Sequence, residues 1–118
     1  SSMSGLHALV ALVCVFAICI GQLLFKRVSM EIQVAGTWID GKVLLYAGIA
    51  FAVYASATLL WIHVLRFVDL SRAYPLMALS FVIVPVASTW LYGDRLSIAY
   101  LAGAVLICMG VVVISRAG

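Results

Sequence analysis

The sequence predicts an all-α membrane protein of four transmembrane helices, arranged as a single domain over residues 1–118. Four stretches contain no Asp, Glu, Lys, Arg or His. Each is long enough to cross the hydrocarbon core, which requires about 20 mostly apolar residues and about 17 at least. The charged residues all lie between or after these stretches, which are residues 8–25, 43–62, 73–92 and 98–114.

Composition supports this fold class and leaves no room for a soluble catalytic domain. Hydrophobic residues make up 67% of the chain and charged residues 9%, whereas soluble domains are about 45–50% apolar and about 25% charged. No catalytic, metal-binding or phosphate-loop motif is present, so we expect neither an enzyme nor a bound metal or cofactor. The net charge of +3 comes from Lys and Arg residues near helix ends, which indicates headgroup anchoring rather than nucleic-acid binding. The expected spans are about residues 6–26, 43–65, 72–92 and 96–115.

The first span carries a polar face near its end. Ile18, Gln22 and Lys26 are four residues apart, so they share one side of a helix. A glutamine within a span is costly unless it has a partner or faces a cavity. Gln22 therefore either bonds another helix or contacts a substrate headgroup. Residues 27–42 then form the one sizeable loop, which we expect to be partly helical at the membrane surface.

The third span contains two prolines with different expected effects. Pro75 falls near the first turn, where its missing N–H is harmless. Pro85 lies in the middle of the span and must free a backbone carbonyl near Phe81, which predicts a kink. Ser80 and Ser88 are expected to hydrogen-bond the freed groups. A kinked helix that lines a cavity is typical of transporters, although proline is common in membrane helices.

The fourth span carries small residues in register. Ala99 and Gly103 are four residues apart, and Gly103 and Gly110 are seven apart. Such a stripe allows close helix approach. The sequence therefore predicts a dimer, parallel or antiparallel, with these three residues in its interface.

Two segments resemble a known family. They are residues 21–26, GQLLFK, at the end of the first span, and residues 70–82, LSRAYPLMALSFV, at the start of the third. With the glycines of the fourth span, they resemble the small multidrug resistance branch of the drug/metabolite transporter superfamily, whose members are EamA-like. The resemblance covers nearly the whole chain and implies the four-span layout.

One departure from that branch bears on function. Its cation exporters carry a glutamate within the first span, at the position of Ile18, and a tryptophan in the third span, at the position of Met77. An isoleucine cannot compensate the charge of a quaternary ammonium ion in low dielectric. The departure argues against export of cationic drugs.

The Gly-Gln pair at residues 21–22 and the Ala-Tyr-Pro stretch at residues 73–75 instead resemble the subunits of the aminoarabinose–undecaprenyl phosphate flippase. This resemblance implies a multi-pass transporter of the bacterial inner membrane that moves a polyprenyl-phosphate glycolipid for lipid A modification. It also implies a homodimer, or a heterodimer with a related four-helix subunit, surrounded by membrane lipids. Two alternatives remain open: an exporter of a small polar metabolite or cation, and a non-transporting partner subunit.

Candidate substrate contacts follow from the chemistry of such a lipid. Cations at membrane depth suit its phosphate, and hydroxyl or amide groups suit its sugar. By the alternating layout of the spans, Lys26 is expected on the opposite side of the membrane from Arg66 and Arg72, which flank the turn between spans two and three. Anchoring or packing is the alternative role for each residue. The expected phosphate contacts are Lys26, Arg66 and Arg72, and the expected sugar contacts are Gln22, Tyr74 and Ser80.

The missing intramembrane acid generates a first prediction. Cells that express the protein should gain no resistance to quaternary ammonium compounds, because no carboxylate within the spans compensates such a cation. Growth inhibition assays measure this directly. Robust proton-driven ethidium efflux by the purified protein would contradict the prediction.

Overall fold

Four helical spans make up the chain in a computed structural model that describes residues 5–117. The all-α fold class with four spans is therefore confirmed. The regular elements of the described residues are all helices. They are α1 (Gly5–Ala35), α2 (Gly41–Leu65), α3 (Leu70–Ala73), a 3₁₀ segment (Tyr74–Leu79), α4 (Ser80–Tyr92) and α5 (Ile98–Arg116). Span one is α1, span two is α2, span three runs from α3 to α4, and span four is α5.

The first helix extends well beyond the membrane core. Its 31 residues give a length of about 46 Å, against about 30 Å for the hydrocarbon core. Residues 27–35, the first part of the loop that was expected to be partly helical, continue α1 without a break. Arg27 Nε lies 3.1 Å from Glu31 Oε1, an i,i+4 pair that supports helix here. The helix ends at Gly36, whose φ of 72° suits glycine.

Spans one and two form the best-packed pair in the chain. Their shared face is built from small residues, which let the two helices approach closely. Cys14 and Cys19 are free and buried, and they are among the small side chains that pack here. Gly21 lies against the Tyr54 ring, so that a Cβ at position 21 would meet Tyr54 Cδ2 at 3.0 Å. The motif glycine is thus explained by helix packing.

A small hydrophobic cluster holds the turn between spans two and three against span one. Val64 and Val68 enclose this turn and pack on the first half of α1. Partly buried Leu60, Trp61 and Leu76 surround them. This contact fixes where span three begins. The buried members of the cluster are Ala11, Cys14, Val64, Val68 and Ala73.

Span three is not a continuous α-helix. After four residues of α3 it tightens into the 3₁₀ segment, which has Pro75 at its start. Proline lacks the N–H that an α-helical turn would use here, and tightened turns within a helix often mark functional hinges. Ser80 Oγ donates to the Met77 carbonyl at 2.7 Å, where the α-helix resumes.

The carbonyl freed by Pro85 finds its donor on span four. Proline at position 85 cannot donate to the Phe81 carbonyl, and the Tyr100 hydroxyl donates to it instead at 2.5 Å. The expectation that Ser80 and Ser88 would serve this role is wrong. Ser80 bonds Met77, and Ser88 donates to the Asp94 carboxylate. Both hydroxyls are therefore used elsewhere.

The connection between α4 and α5 folds back along span three. Gly93, with φ 73°, ends α4 in the left-handed conformation. Asp94 then bonds Ser88, and Tyr100 bonds Phe81, so positions later in the chain meet positions earlier in α4. The start of α5 consequently lies beside the middle of span three. Ser97 caps α5 by accepting from the Tyr100 backbone N–H at 3.0 Å.

Spans three and four are sparsely covered by the rest of the chain. In each, 6% of the membrane-spanning window is buried, against 28% in span one. A Cβ at Gly103 or Gly110 would meet no atom within 4 Å. These surfaces are open to lipid or to another protein.

The Tyr100 bond yields a prediction on stability. Tyr100→Phe should destabilise the protein by about 1 kcal/mol, since it leaves the Phe81 carbonyl unpaired in a lipid environment. In a Pro85→Ala background the same change should cost close to nothing, because residue 85 then donates its own N–H. Unfolding in mixed micelles measures both values.

Tyr74→Phe is the matched control for this cycle. The Tyr74 ring is 63% exposed, and no hydrogen bond of its hydroxyl occurs among residues 5–117. Equal destabilisation by Tyr100→Phe in both backgrounds would show that the bond to Phe81 is not the source of the effect.

Candidate functional site

A pocket of about 240 Å³ lies on the 3₁₀ segment of span three. Tyr74 and Ser80, two of the expected sugar contacts, both line it. The segment places them there because residues three apart share one face of a 3₁₀ helix, so that Tyr74, Met77 and the capping Ser80 line up along the same side. Ser80 keeps an acceptor oxygen while it donates to Met77. The full lining is Tyr74, Pro75, Met77, Ala78, Ser80 and Phe81.

The candidate phosphate contacts lie at opposite ends of the molecule. His7, near the start of α1, stacks on Phe67 in the turn after α2, with ring centroids 5.2 Å apart. Arg66 and Arg72 flank the same turn. Lys26 lies about 28 Å farther along α1 than His7, at 1.5 Å per residue. The fold thus brings the two arginines to one end and keeps Lys26 at the other.

An aromatic and cationic cluster marks the arginine end. The Arg66 guanidinium lies over the Phe67 ring at 5.3 Å from its centroid, and His63 meets the same ring edge-on at 5.4 Å. Stacking of this kind orients a guanidinium while its N–H groups stay available. Arg72 is half-buried in α3. That His7 and Phe67 lie beside Arg66 was not expected from the sequence.

At the other end, the last turn of α4 is hydrogen-bonded to α1. The Tyr92 hydroxyl donates to the Leu23 carbonyl at 2.7 Å. Arg27 is engaged, because it pairs with Glu31 and lies over the Tyr46 ring at 4.9 Å. Lys26 is exposed and forms no ion pair within residues 5–117. Lys26 is therefore one of the available cations at this end, together with Lys42 and Arg95, which also form no ion pair within residues 5–117.

Gln22 is exposed on α1, one turn before Lys26. No hydrogen bond of its side chain is found within the part of the chain that the structure describes. Ile18, on the same face, is half-buried, and Met77 lines the pocket of span three. The two positions at which cation exporters of the resembled branch carry glutamate and tryptophan are thus apolar.

Two further hollows are apolar and open. One, about 370 Å³, lies on α5 around Cys108 and Met109. The other, about 350 Å³, runs between spans one and two. Small side chains on both helices create this second groove, which suits a hydrocarbon chain rather than a polar group. Its lining is Ala17, Ala52, Val53, Ser56, Ala57 and Leu60.

Two tyrosines that hold the site together were missed at the sequence level. Tyr92 and Tyr100 both donate to backbone carbonyls of other helices. The sequence did indicate that they form hydrogen bonds, because a tyrosine hydroxyl within an apolar span needs a partner when it is buried. Which carbonyl each one reaches depends on how the spans are offset, and the pattern of residues does not carry that information.

Comparison with known proteins identifies relatives over most of the chain. The model of the EamA-like transporter family matches residues 1–116. A probable 4-amino-4-deoxy-L-arabinose-phosphoundecaprenol flippase subunit ArnE from Erwinia tasmaniensis is 34% identical over 80% of this chain and 83% of its own length. The protein of the same name from Sodalis glossinidius is 33% identical over 79% and 82%. No solved structure gives a significant match.

A more distant relative extends the match in length. The protein of that name from Hamiltonella defensa is 23% identical over 93% of this chain and 96% of its own. With the four spans, these relatives make the chain a multi-pass protein of the inner membrane. Because the family model matches almost from end to end, the chain belongs to the EamA-like transporter family.

Proposed function

We propose that this chain is a subunit of a flippase that moves a polyprenyl-phosphate-linked sugar, or the polyprenyl phosphate itself, across the inner membrane. The observation that carries the proposal is the similarity, over 80% of the chain, to a protein named as such a subunit. Transport of this kind makes and breaks no covalent bond, which fits a chain with no catalytic motif.

The physical problem of such a lipid has two parts. Its apolar tail is most stable in the hydrocarbon core and need not leave it. Its phosphate and sugar must cross a region where an unsatisfied polar group costs several kcal/mol. The apolar groove between spans one and two supports contact with the tail. The polar lining of the span-three pocket supports contact with the headgroup.

We assign the phosphate to the cations at the two ends and the sugar to polar groups between them. Lys26 would hold the phosphate at one face, and Arg66 with Arg72 at the other, through charge-assisted hydrogen bonds. Tyr74 and Ser80, which share a pocket, would bond sugar hydroxyls. Gln22, exposed one turn from Lys26, would do so on span one.

We also propose that a second four-helix subunit, identical or related, covers span four. The sparse burial of that span and the open space at its two glycines support this. Ala99 is exposed on the same helix. The relatives are named as subunits, which points in the same direction.

The proposed interface predicts the effect of bulky residues on assembly. Gly103→Leu and Gly110→Leu should each lower the dimer fraction several-fold, because they fill the space that the partner helix needs. Crosslinking in membranes and particle size in detergent report the result. Gly48→Leu is the control, since position 48 lies on span two with nothing within 4 Å of its Cβ. Unchanged assembly in both span-four variants would exclude this interface.

The phosphate assignment predicts a loss of lipid affinity. Lys26→Ala and Arg72→Ala should each weaken binding of undecaprenyl phosphate and its glycosylated form by about ten- to a hundredfold, since a charge-assisted hydrogen bond contributes about 1.5–3 kcal/mol. Arg116→Ala, at the last residue of α5, should change little. A binding or flipping assay in liposomes measures all three.

The outcomes separate the alternatives. If the protein binds the lipid and both substitutions leave affinity unchanged, the phosphate role is wrong. If no polyprenyl lipid binds, the flippase function fails, and export of a small polar metabolite becomes the better explanation. If flipping requires a second gene product although this chain binds no lipid, the chain is a non-transporting partner.

A further inference from the structure

We propose that His63 joins Arg66 in binding the lipid phosphate at the arginine end, and that protonation of His63 makes binding at this end, and not at the other, depend on pH. The inference rests on the proposed function and deepens it by naming a further phosphate contact and the condition under which it acts. It is carried by the convergence of both histidines of the chain on a single aromatic ring.

Phe67 gathers three nitrogen-bearing side chains around its ring. His7 reaches it from α1 and stacks on it nearly in parallel, with an angle of 9° between the two rings. His63 and Arg66 reach it from the last turn of α2 and its C-cap. The His63 ring centroid lies 5.4 Å from that of Phe67, and the Arg66 guanidinium lies 5.3 Å from the same point. The fold thus brings together two histidines that belong to different spans.

The charges of this cluster favour an anion. Neither Arg66 nor His63 forms an ion pair within residues 5–117, and both are exposed, so their N–H groups can reach a ligand. The other charged or titratable groups of this turn and of the helices that meet there are His7 on α1, Asp69 in the turn and Arg72 on α3. With one acid among them, the two arginines leave the cluster positive even when both histidines are neutral.

Protonation of His63 adds a charge-assisted donor to this site. Histidine changes its charge between pH 5 and 8, and an imidazolium donates a stronger hydrogen bond to a phosphate oxygen than a neutral imidazole does. Phosphate binding at the arginine end therefore tightens as the pH falls through this range and weakens as it rises. His7 acts as a positioning residue, because its ring stacks on the Phe67 ring against which both donors lie.

The opposite end of the molecule has no histidine. Its available cations are Lys26, Lys42 and Arg95, and lysine and arginine keep their charge across this range. The chain contains two histidines, and both lie at the arginine end. The pH on that side of the membrane would consequently regulate how tightly the lipid is held at one face, while the affinity at the other face stays constant.

The test measures phosphate binding at the arginine end at two pH values. The probe is a polyprenyl phosphodiester of a neutral hexose, because the single charge of a phosphodiester is the same at both. The protein is the whole chain with Lys26→Ala, in lipid nanodiscs, so that the proposed contact at the other end is removed. The affinity should be about tenfold higher at about pH 5.5 than at about pH 8, the fold-change of one charge-assisted hydrogen bond.

Variants of His63 identify the titrating group. In the same background, His63→Gln should abolish the difference by lowering the affinity at acid pH alone. His63→Arg carries a constant charge and should bind tightly at both pH values, which separates loss of charge from loss of structure. His7→Phe is the matched control, because phenylalanine keeps a ring against Phe67 and removes the other histidine, so the pH response should persist.

Several outcomes would overturn the inference. Equal affinity of the Lys26→Ala protein at the two pH values does so without any further variant. A pH response that survives in His63→Gln, or that disappears in His7→Phe, does so as well, and so does weak binding by His63→Arg at acid pH. If the parent protein binds no polyprenyl lipid at either pH, the proposed function itself has failed.

Discussion

The hydroxyl of Tyr100 supplies a hydrogen bond on which the arrangement of spans three and four depends. Every backbone carbonyl within lipid needs a donor, and Pro85 deprives Phe81 of the one that an α-helix would supply. Tyr100 provides it at 2.5 Å. To do so, the connection after α4 must run back along span three, and this return places Asp94 beside Ser88. The bond therefore determines where α5 begins relative to span three.

The molecule divides into a well-packed part and a sparsely packed part. Spans one and two are in close contact because small residues face larger ones, as where Gly21 lies against the Tyr54 ring. Span three, which carries the 3₁₀ segment and the pocket, has little of its surface covered by the chain. Segments with few buried contacts open at low free-energy cost. The proposed headgroup pocket thus lies on one of the two sparsely packed spans.

Most of the fold could be predicted from the sequence because the membrane imposes a length on each apolar stretch. Partial helix was expected in residues 27–42, but hydropathy did not reveal that residues 27–35 continue span one, where the Arg27–Glu31 pair supports the helix. The position of the freed carbonyl followed from Pro85 alone. Its donor did not, because Ser80 bonds a nearer carbonyl and the Tyr100 contact depends on the fold of residues 93–97.

Less of the candidate site could be predicted from the sequence, again because its contacts depend on the tertiary fold. Tyr74 and Ser80 were chosen by residue type and resemblance, and the structure adds that they line one pocket. Asp94 was counted with the acids outside the spans, because position in the sequence measures distance along the chain. Its bond to Ser88 arises from a reversal of the backbone at Gly93. The sequence identifies the charged residues, but only the tertiary structure shows which of them lie at the same end of the molecule.

The open surface of span four also bears on biogenesis. This helix is synthesised after the other three spans, and its own chain offers it the Tyr100 bond and a contact with the 3₁₀ segment. Gly103 and Gly110 meet nothing. Insertion and final packing are therefore separate events for this span. In the proposed assembly the second depends on encounters in the plane of the membrane, so the level of synthesis would govern how quickly the partner covers this surface.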